Sequence, residues 1–168
     1  MAKSRPQNET QLSTNLPGVT HYITGHNDQG RAIVESSNPG HWTPLLGDSL
    51  AFNVIYTTSG FPVSLNDNKD IKTHEEVISS KKLGLVNANG TVCRMVDFAP
   101  DSKPLVHRTQ SLDYGLVLEG EVEMILDDGV TKIMKRGDVA VQRATNHGVS
   151  YVSQPVLLKL RSPRVCLK

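Results

Sequence analysis

The clearest structural signal in the chain is residues 114–141, YGLVLEGEVEMILDDGVTKIMKRGDVAV. Short runs of aliphatic and β-branched residues alternate there with three turn-like segments, Glu119-Gly120, Asp127-Asp128-Gly129 and Arg136-Gly137-Asp138. Glycine and aspartate favour turns because they accept or stabilise backbone conformations that a strand does not use. Short strands at regular spacing with turns between them predict an antiparallel sandwich or barrel.

Strand-like segments also lie on both sides of this stretch. Asn27-Asp28-Gln29-Gly30 and Asn87-Ala88-Asn89-Gly90 each predict the turn of a hairpin, because Asn and Gly favour tight turns. Residues 59–82 carry no clear strand pattern, and Thr73–Ile78 predicts a short helix with Thr73 as its N-cap. The strands predicted outside residues 114–141 are 21–24, 31–34, 50–58, 83–86, 91–98 and 156–160.

Length and charge exclude several functional classes. The 168 residues suit a single domain with one sizeable core. Eighteen Lys and Arg residues are balanced by 17 Asp and Glu residues, so the basic excess of a nucleic-acid-binding protein is missing. The sequence has no apolar run long enough to span a membrane and no signal-peptide pattern at its start, so we expect a cytoplasmic protein that does not bind membranes. Neither a P-loop nor a dinucleotide fingerprint is present, and we therefore expect no nucleotide cofactor.

No change in composition and no Gly/Ser-rich linker divides the chain. Residues 1–17 are polar and aperiodic, which predicts a flexible tail. Residues 18–168 are expected to form one domain. Its barrel core should span residues 83–162, and strands within residues 18–60 should extend the sheet.

Two histidines and one aspartate stand out in the strand-rich half of the chain. His107 ends a strand-like segment, Asp113 opens the next one, and His147 follows the Gly137-Asp138 turn and a short apolar strand. If these strands pair in a barrel, two imidazoles and one carboxylate converge at its mouth. That set suits a catalytic Zn²⁺ or a non-haem Fe²⁺ with open coordination positions. A metal-free His–Asp couple is an alternative general acid–base pair, and hydrogen-bonded histidines without a catalytic role are a third interpretation.

Two segments carry a resemblance to a known family. Residues 104–121, PLVHRTQSLDYGLVLEGE, and residues 137–151, GDVAVQRATNHGVSY, resemble the two motifs of the cupin superfamily. The resemblance implies an all-β fold, a cupin-type jelly-roll β-barrel. With Gly120 as the anchor, His107 falls on the first histidine of the motifs, Asp113 on the carboxylate position and His147 on the last histidine.

The departures from the family pattern concern the site. Thr109 stands where the family usually has a second histidine, and Asp113 where it usually has a glutamate. A neutral hydroxyl is a poor metal ligand. The resemblance therefore implies a divalent metal, Zn, Fe, Mn or Ni, held by three residues, His107, Asp113 and His147. The same His-x-Thr-x-x-x-Asp-Tyr form resembles small cupins of bacterial and fungal genomes that lie near secondary-metabolite genes.

The resemblance implies an enzyme that modifies a small molecule in an apolar pocket, in secondary metabolism of organic acids or polyketides. Lyase or isomerase chemistry, such as decarboxylation, dehydration or enolisation, is the first interpretation. The alternatives are an Fe(II)-dependent dioxygenase and a non-catalytic, ligand-binding or dimeric cupin, and the resemblance also implies a homodimer. Arg94 lies in an apolar strand and is expected either to bind a substrate carboxylate or enolate with its fork of donors or to face outward. Thr109, Tyr114 and Gln142 are the other predicted substrate-binding residues.

Overall fold

The fold is built almost wholly from antiparallel strands. The structure is a computed structural model that describes residues 5–100 and 102–164, with the backbone alone from residue 154 onward. Within those residues it confirms the predicted all-β class. The elements are β1 (Thr20–His26), β2 (Ala32–Pro39), β3 (Thr43–Leu45), β4 (Leu50–Thr57), a 3₁₀ turn (Asn66–Asn68), α1 (Lys69–Ser79), β5 (Val92–Phe98), β6 (His107–Arg108), β7 (Ser111–Leu126), β8 (Thr131–Lys135), β9 (Val139–Arg143) and β10 (Asn146–Arg164).

The main sheet follows the order β3-β4-β5-β10-β7-β8, and β6 joins it through β10 and β9 through β7. β7 and β10 therefore each pair with three strands. A strand has only two edges, so these partners occupy different lengths of β7 and β10, and the sheet bends on itself to enclose a core. None of the helices in the described part of the chain has the length and apolar character needed to cross a bilayer.

β7 joins two segments that the sequence separates. The Glu119-Gly120 pair predicts a turn between two strands, whereas the structure has one continuous strand from Ser111 to Leu126. Gly120 adopts a φ of +72°, which residues with a side chain rarely adopt. The pairing of β7 with β10 also shifts register near Ser153. Such irregularities bend a strand without ending it.

Two local predictions in the middle of the chain are wrong. Residues 83–86 do not form the predicted strand, because β4 and β10 occupy both edges of β5 and leave no edge for a third partner. The predicted helix starts four residues earlier than expected, at Lys69. Thr73 lies inside it and donates its hydroxyl hydrogen to the carbonyl oxygen of Lys69 at 2.8 Å instead of capping the N-terminus.

The N-terminal part of the chain covers the outside of the main sheet. β1 and β2 form the predicted hairpin as a separate two-stranded sheet, while β3 and β4 extend the main sheet. Residues 5–17, where the sequence predicts a flexible tail, instead lie against β5. The backbone N–H groups of Leu12 and Ser13 donate to the Asp97 carboxylate at 2.9 and 2.8 Å, and the Ser13 hydroxyl donates to the same group. Polar residues without periodicity can still dock in this way when a buried acceptor meets them.

Alternation along β5 places a core on each face of the sheet. Val96 and Phe98 face the inside, where they pack with Val117, Val122 and Met134. Met95 faces the opposite side and packs with Trp42 and Ala51. Residues two apart on a strand share a face, so Arg94 points inward with Val96. This register determines what lines the interior.

Candidate functional site

A cleft opens into the barrel beside β5. Its open space, counted together with the mouth and the adjoining solvent, is about 600 Å³. Most of its walls are apolar. Its lining includes Phe52, Leu85, Arg94, Lys103, His107 and Val149.

His107 and His147 lie next to each other at this cleft. They are direct partners in the pairing of β6 with β10, and their ring centroids are 4.9 Å apart at an angle of 47°. His107 is half-buried and lines the cleft, whereas His147 is only 1% exposed. The structure therefore brings together the two predicted histidines, one facing the cleft and one behind it.

The orientation of both imidazoles is set by backbone carbonyls. His107 Nδ1 lies 3.0 Å from the carbonyl oxygen of Leu105, and His147 Nδ1 lies 3.1 Å from that of Thr145. A carbonyl oxygen can only accept, so each Nδ1 carries the hydrogen. In a neutral imidazole the lone pair is then on Nε2. Both rings are thus held in the tautomer that presents Nε2 as a base.

Asp113 lies elsewhere in the barrel, beside Gln142. The two residues are cross-strand neighbours between β7 and β9, only 1% and 7% exposed, and both line a second, smaller cavity of about 330 Å³. Val149 lines both cavities and so stands between them. The cleft is therefore lined by His107, and the smaller cavity by Asp113 and Gln142.

Gln142 is linked to the histidine pair through Thr145. The Thr145 hydroxyl donates to Gln142 Oε1 at 2.6 Å, and the Thr145 carbonyl oxygen accepts from His147 Nδ1. The same carbonyl accepts the backbone N–H of Thr109 at 3.4 Å. Gln142 thus helps to position His147 by holding Thr145, a role that the sequence did not suggest.

The three predicted metal ligands do not form one group. Across residues 5–100 and 102–164 there is no cluster of three or more His, Cys, Asp or Glu side chains that could hold a metal ion. His107 lines the cleft and His147 lies behind it, so this part of the structure offers two imidazoles, whereas catalytic zinc sites use three protein ligands. The reason lies in the strand pairing: Asp113 projects from β7 beside β9, while the histidines come from β6 and β10. The residues present do not fit the predicted three-residue site.

Arg94 faces the interior, as one of its two predicted orientations requires. It is 2% exposed, and its Nη2 donates to the carbonyl oxygens of Gly84 and Leu85 at 2.9 and 3.1 Å. Its guanidinium carbon lies 4.7 Å from the centroid of the Phe52 ring, a cation–π contact. Arg94 thus carries a positive charge into the cleft and holds the loop that supplies Leu85.

The two remaining residues predicted to bind substrate differ in their burial. Thr109 is 5% exposed, and its hydroxyl has no hydrogen-bond partner among the residues that the structure describes. Tyr114 is 44% exposed and lines neither of the two cavities, and its role in substrate binding stays a prediction. Since Asp113 points inward, its neighbour Tyr114 must point outward from the same strand.

Lys103 and Phe52 are cleft residues that the sequence did not single out. Lys103 lies in the loop between β5 and β6, and Phe52 comes from β4. Loop positions follow no periodic pattern, and the inward face of β4 depends on its pairing with β5. The only available signal was the position of Lys103 next to Pro104, where the first motif begins.

Comparisons with known proteins support the family resemblance. No protein-family model matches the chain. Phomopsin biosynthesis cluster protein D of Diaporthe leptostromiformis is 39% identical over 148 residues, which are 88% of this chain and 76% of that protein. The cupin-domain-containing oxidoreductases fogC of Aspergillus ruber and virC of Hypocrea virens are 44% and 43% identical over 133 residues, 79% of this chain. The match spans 64% of fogC and 66% of virC, so both relatives have additional length.

Among solved structures, KdgF from Halomonas sp. superimposes with a TM-score of 0.51 at 16% identity, over 74% of this chain and 89% of that one. At this identity the likeness concerns the fold alone.

Proposed function

The chain belongs to the cupin superfamily, and from this premise we propose that it is a small-molecule-modifying enzyme of secondary metabolism, of lyase or isomerase type. The setting is supported by relatives named as members of the phomopsin and oryzines biosynthesis clusters. The observation that carries the chemistry is the His107–His147 pair, whose Nδ1 atoms are both held by carbonyl oxygens at the edge of an apolar cleft.

The proposed step is proton transfer at a carbon next to a carbonyl group. His107 Nε2 takes the proton, the C–H electron pair becomes a C=C bond, and the carbonyl becomes an enolate oxygen. Return of the proton to a different carbon gives an isomerase. Loss of a leaving group from the β carbon gives a lyase. A positioned histidine base of this kind accelerates proton transfer by roughly 10²–10⁴-fold.

His147 has a supporting part in this proposal. It is buried behind His107, in ring contact with it, and it is oriented by the Thr145 carbonyl. In this proposal the ring contact with His147 and the Leu105 carbonyl oxygen together hold the His107 ring in its orientation. A base that is already held in one orientation loses less conformational entropy when the proton is transferred.

An oxidoreductase is a second candidate, because the relatives fogC and virC carry that name. A dioxygenase that uses Fe(II) would consume one O₂ for each substrate molecule converted. The described residues do not group the three predicted ligands, so we route no step through a metal. Bound metal per chain, measured by elemental mass spectrometry on protein purified without a metal-affinity column, addresses this candidate directly.

The test uses deuterium exchange into phenylacetone, an enolisable aryl ketone, followed by proton NMR in D₂O. We expect the native protein to accelerate exchange over buffer, and His107→Ala to lose at least about 100-fold of that acceleration. His147→Ala should lose part of it. His26→Ala removes an exposed histidine at the end of β1 and is the matched control.

Exchange that His107→Ala leaves intact would refute the proposed base. Oxygen uptake in step with substrate loss, abolished under anaerobic conditions, would instead favour the oxidoreductase. Circular dichroism of each variant separates loss of chemistry from loss of fold.

A further inference from the structure

Helix α1 is attached to the main sheet without a fully buried side chain of its own. The structure describes all of its residues, and even Ile71 and Val77 are only half-buried. Tyr56 on β4 donates its hydroxyl hydrogen to the Asp70 carboxylate at 2.6 Å, and its ring lies 4.5 Å from the His74 ring at an angle of 31°. A helix this short is marginal in water by itself, so α1 depends on its contacts with the sheet.

His74 is joined to β4 as a hydrogen-bond acceptor. The backbone N–H of Thr57 donates to His74 Nδ1 at 3.1 Å, and the Thr57 hydroxyl oxygen lies 3.0 Å from the same atom. A backbone N–H can only donate, so Nδ1 carries a lone pair and the hydrogen of the neutral imidazole is on Nε2. A second proton can bind only at Nδ1. Protonation of His74 therefore places a donor opposite the Thr57 N–H and breaks this contact.

The groups around His74 come from three elements. Burial lowers the pKa of His74, Glu75 on α1 raises it, and His21 on β1 lowers it. Burial also lowers the pKa of His21. From β4, Tyr56 contributes a neutral phenol, because burial raises its pKa and its hydrogen bond to Asp70 raises it further. Both imidazoles are therefore uncharged at neutral pH, and in acid two cations would face each other.

The chain that leaves α1 leads to the wall of the cleft. The helix ends with the N–H groups of Ser80 and Lys81, which donate to the carbonyl oxygens of Glu76 and Ile78 at 3.0 and 3.2 Å. Leu85, which lines the cleft, follows a few residues later. Movement of α1 would be passed to Leu85 through this short connection.

We infer that His74 is a pH-sensitive switch, which holds α1 on β4 while it is neutral and releases α1, with the chain leading to Leu85, when it takes up a second proton. The released imidazole is exposed to water and is protonated more readily than the docked one. Release therefore becomes more favourable as the pH falls below about 6.5. The inference concerns the conformation of α1 and does not depend on the proposed reaction.

The experiment follows amide hydrogen exchange of the full chain by NMR at pH 7.5 and 5.5, expressed as protection factors. The reporters are the N–H groups of Thr57, Ser80 and Lys81. A group that titrates at 6.5 when released and stays neutral when docked favours release about 10-fold more at pH 5.5 than at pH 7.5. We expect protection of the reporters to fall by about 5- to 10-fold. A low concentration of urea should leave it unchanged, because local opening exposes little surface.

Two variants assign the effect to His74. In His74→Asn the amide oxygen can accept the Thr57 N–H and does not titrate, so protection of the reporters should be the same at both pH values. His26→Asn is the matched control, since His26 is an exposed histidine at the end of β1, and it should respond to pH as the native chain does.

Equal protection of the reporters at the two pH values in the native chain would overturn the inference. So would a fall in His74→Asn as large as in the native chain. Protection that depends on urea as steeply as that of the β7 amides would also overturn it, because exchange would then follow global unfolding. If His74→Asn does not fold, the native chain alone still decides through the first and third of these outcomes.

Discussion

Replacement of Asp97 by alanine should release the N-terminal segment from the sheet. Asp97 is fully buried on β5 and accepts three hydrogen bonds, from the backbone N–H groups of Leu12 and Ser13 and from the Ser13 hydroxyl. These are contacts across more than 80 residues of sequence. Asp97→Ala leaves three donors without an acceptor at a site that water reaches poorly.

The expected loss follows from those three donors. A buried donor that loses its partner costs about 1–3 kcal/mol, and partial release of the segment lets some donors reach water. We therefore expect Asp97→Ala to lower the free energy of unfolding by about 3–5 kcal/mol. At this chain length that corresponds to a fall in melting temperature of roughly 6–20 °C.

Asp97→Asn should behave differently, and this comparison is the sharper part of the prediction. Burial raises the pKa of the Asp97 carboxyl group, while the hydrogen bonds from Ser13 and Leu12 oppose that shift. A neutral amide avoids the cost of a buried charge. Its oxygen can accept the two backbone N–H groups, and its NH₂ group can donate to the Ser13 hydroxyl. We expect a loss within about 1 kcal/mol of the native protein.

Urea unfolding at neutral pH measures the free energies, and hydrogen exchange of residues 5–17 reports whether the segment has detached. Asp138→Ala is the matched control, since Asp138 accepts a single backbone N–H, from Lys135 at 2.8 Å, in an exposed turn. It should cost less than about 1 kcal/mol. A loss below about 1 kcal/mol for Asp97→Ala, or equal losses for Asp97→Ala and Asp97→Asn, would refute the reasoning.

Two further predictions concern stability. Burial lowers the pKa of His74, an effect to which His21 adds and which Glu75 opposes. As the pH falls, His74 is therefore protonated in the unfolded chain before it is protonated in the folded one. Its contribution to the free energy of unfolding is fully present above pH 6.5 and is lost as the pH drops below that value. Thermal melts at pH 7.5 and 5.5 should show a smaller fall in melting temperature for His74→Asn than for the native chain. A Cβ at position 90 would lie 1.7 Å from a backbone oxygen, so Gly90→Ala should lower the free energy of unfolding by at least about 2 kcal/mol. A Cβ at position 84 would have nothing within 4 Å, so Gly84→Ala should lower it little. Equal urea midpoints for the two variants would contradict this.

Most of the strands could be predicted from the sequence because they depend on local chemistry. Val139–Arg143 and Thr131–Lys135 follow turns whose Gly and Asp residues stop one strand and start the next. The hairpin around Asn27-Asp28-Gln29-Gly30 follows the same rule and is confirmed. In each case the residues that determine the structure are within a few positions of each other.

The site could be predicted only in part. The proximity of His107 and His147 is confirmed, since the strand near the start of the first motif pairs with the strand at the end of the second. The grouping of Asp113 with them is not observed among the described residues, because its distance from the histidines depends on how β7 pairs with β9 and β10. Lys103 was missed, since a loop residue reaches the cleft only through the path of the chain.

By itself, the sequence determined the all-β class, the family and the two histidines, because alternation, turn chemistry and motif spacing are properties of neighbouring residues. Only the tertiary structure decided that Arg94 faces the cleft, that Tyr114 faces solvent and that residues 83–86 form no strand. The missing strand follows from β4 and β10 occupying both edges of β5, and the directions of Arg94 and Tyr114 follow from which face of β5 and β7 the folded sheet turns inward. Edge occupancy is settled by pairing between distant segments, whose contacts are formed only when the whole sheet closes.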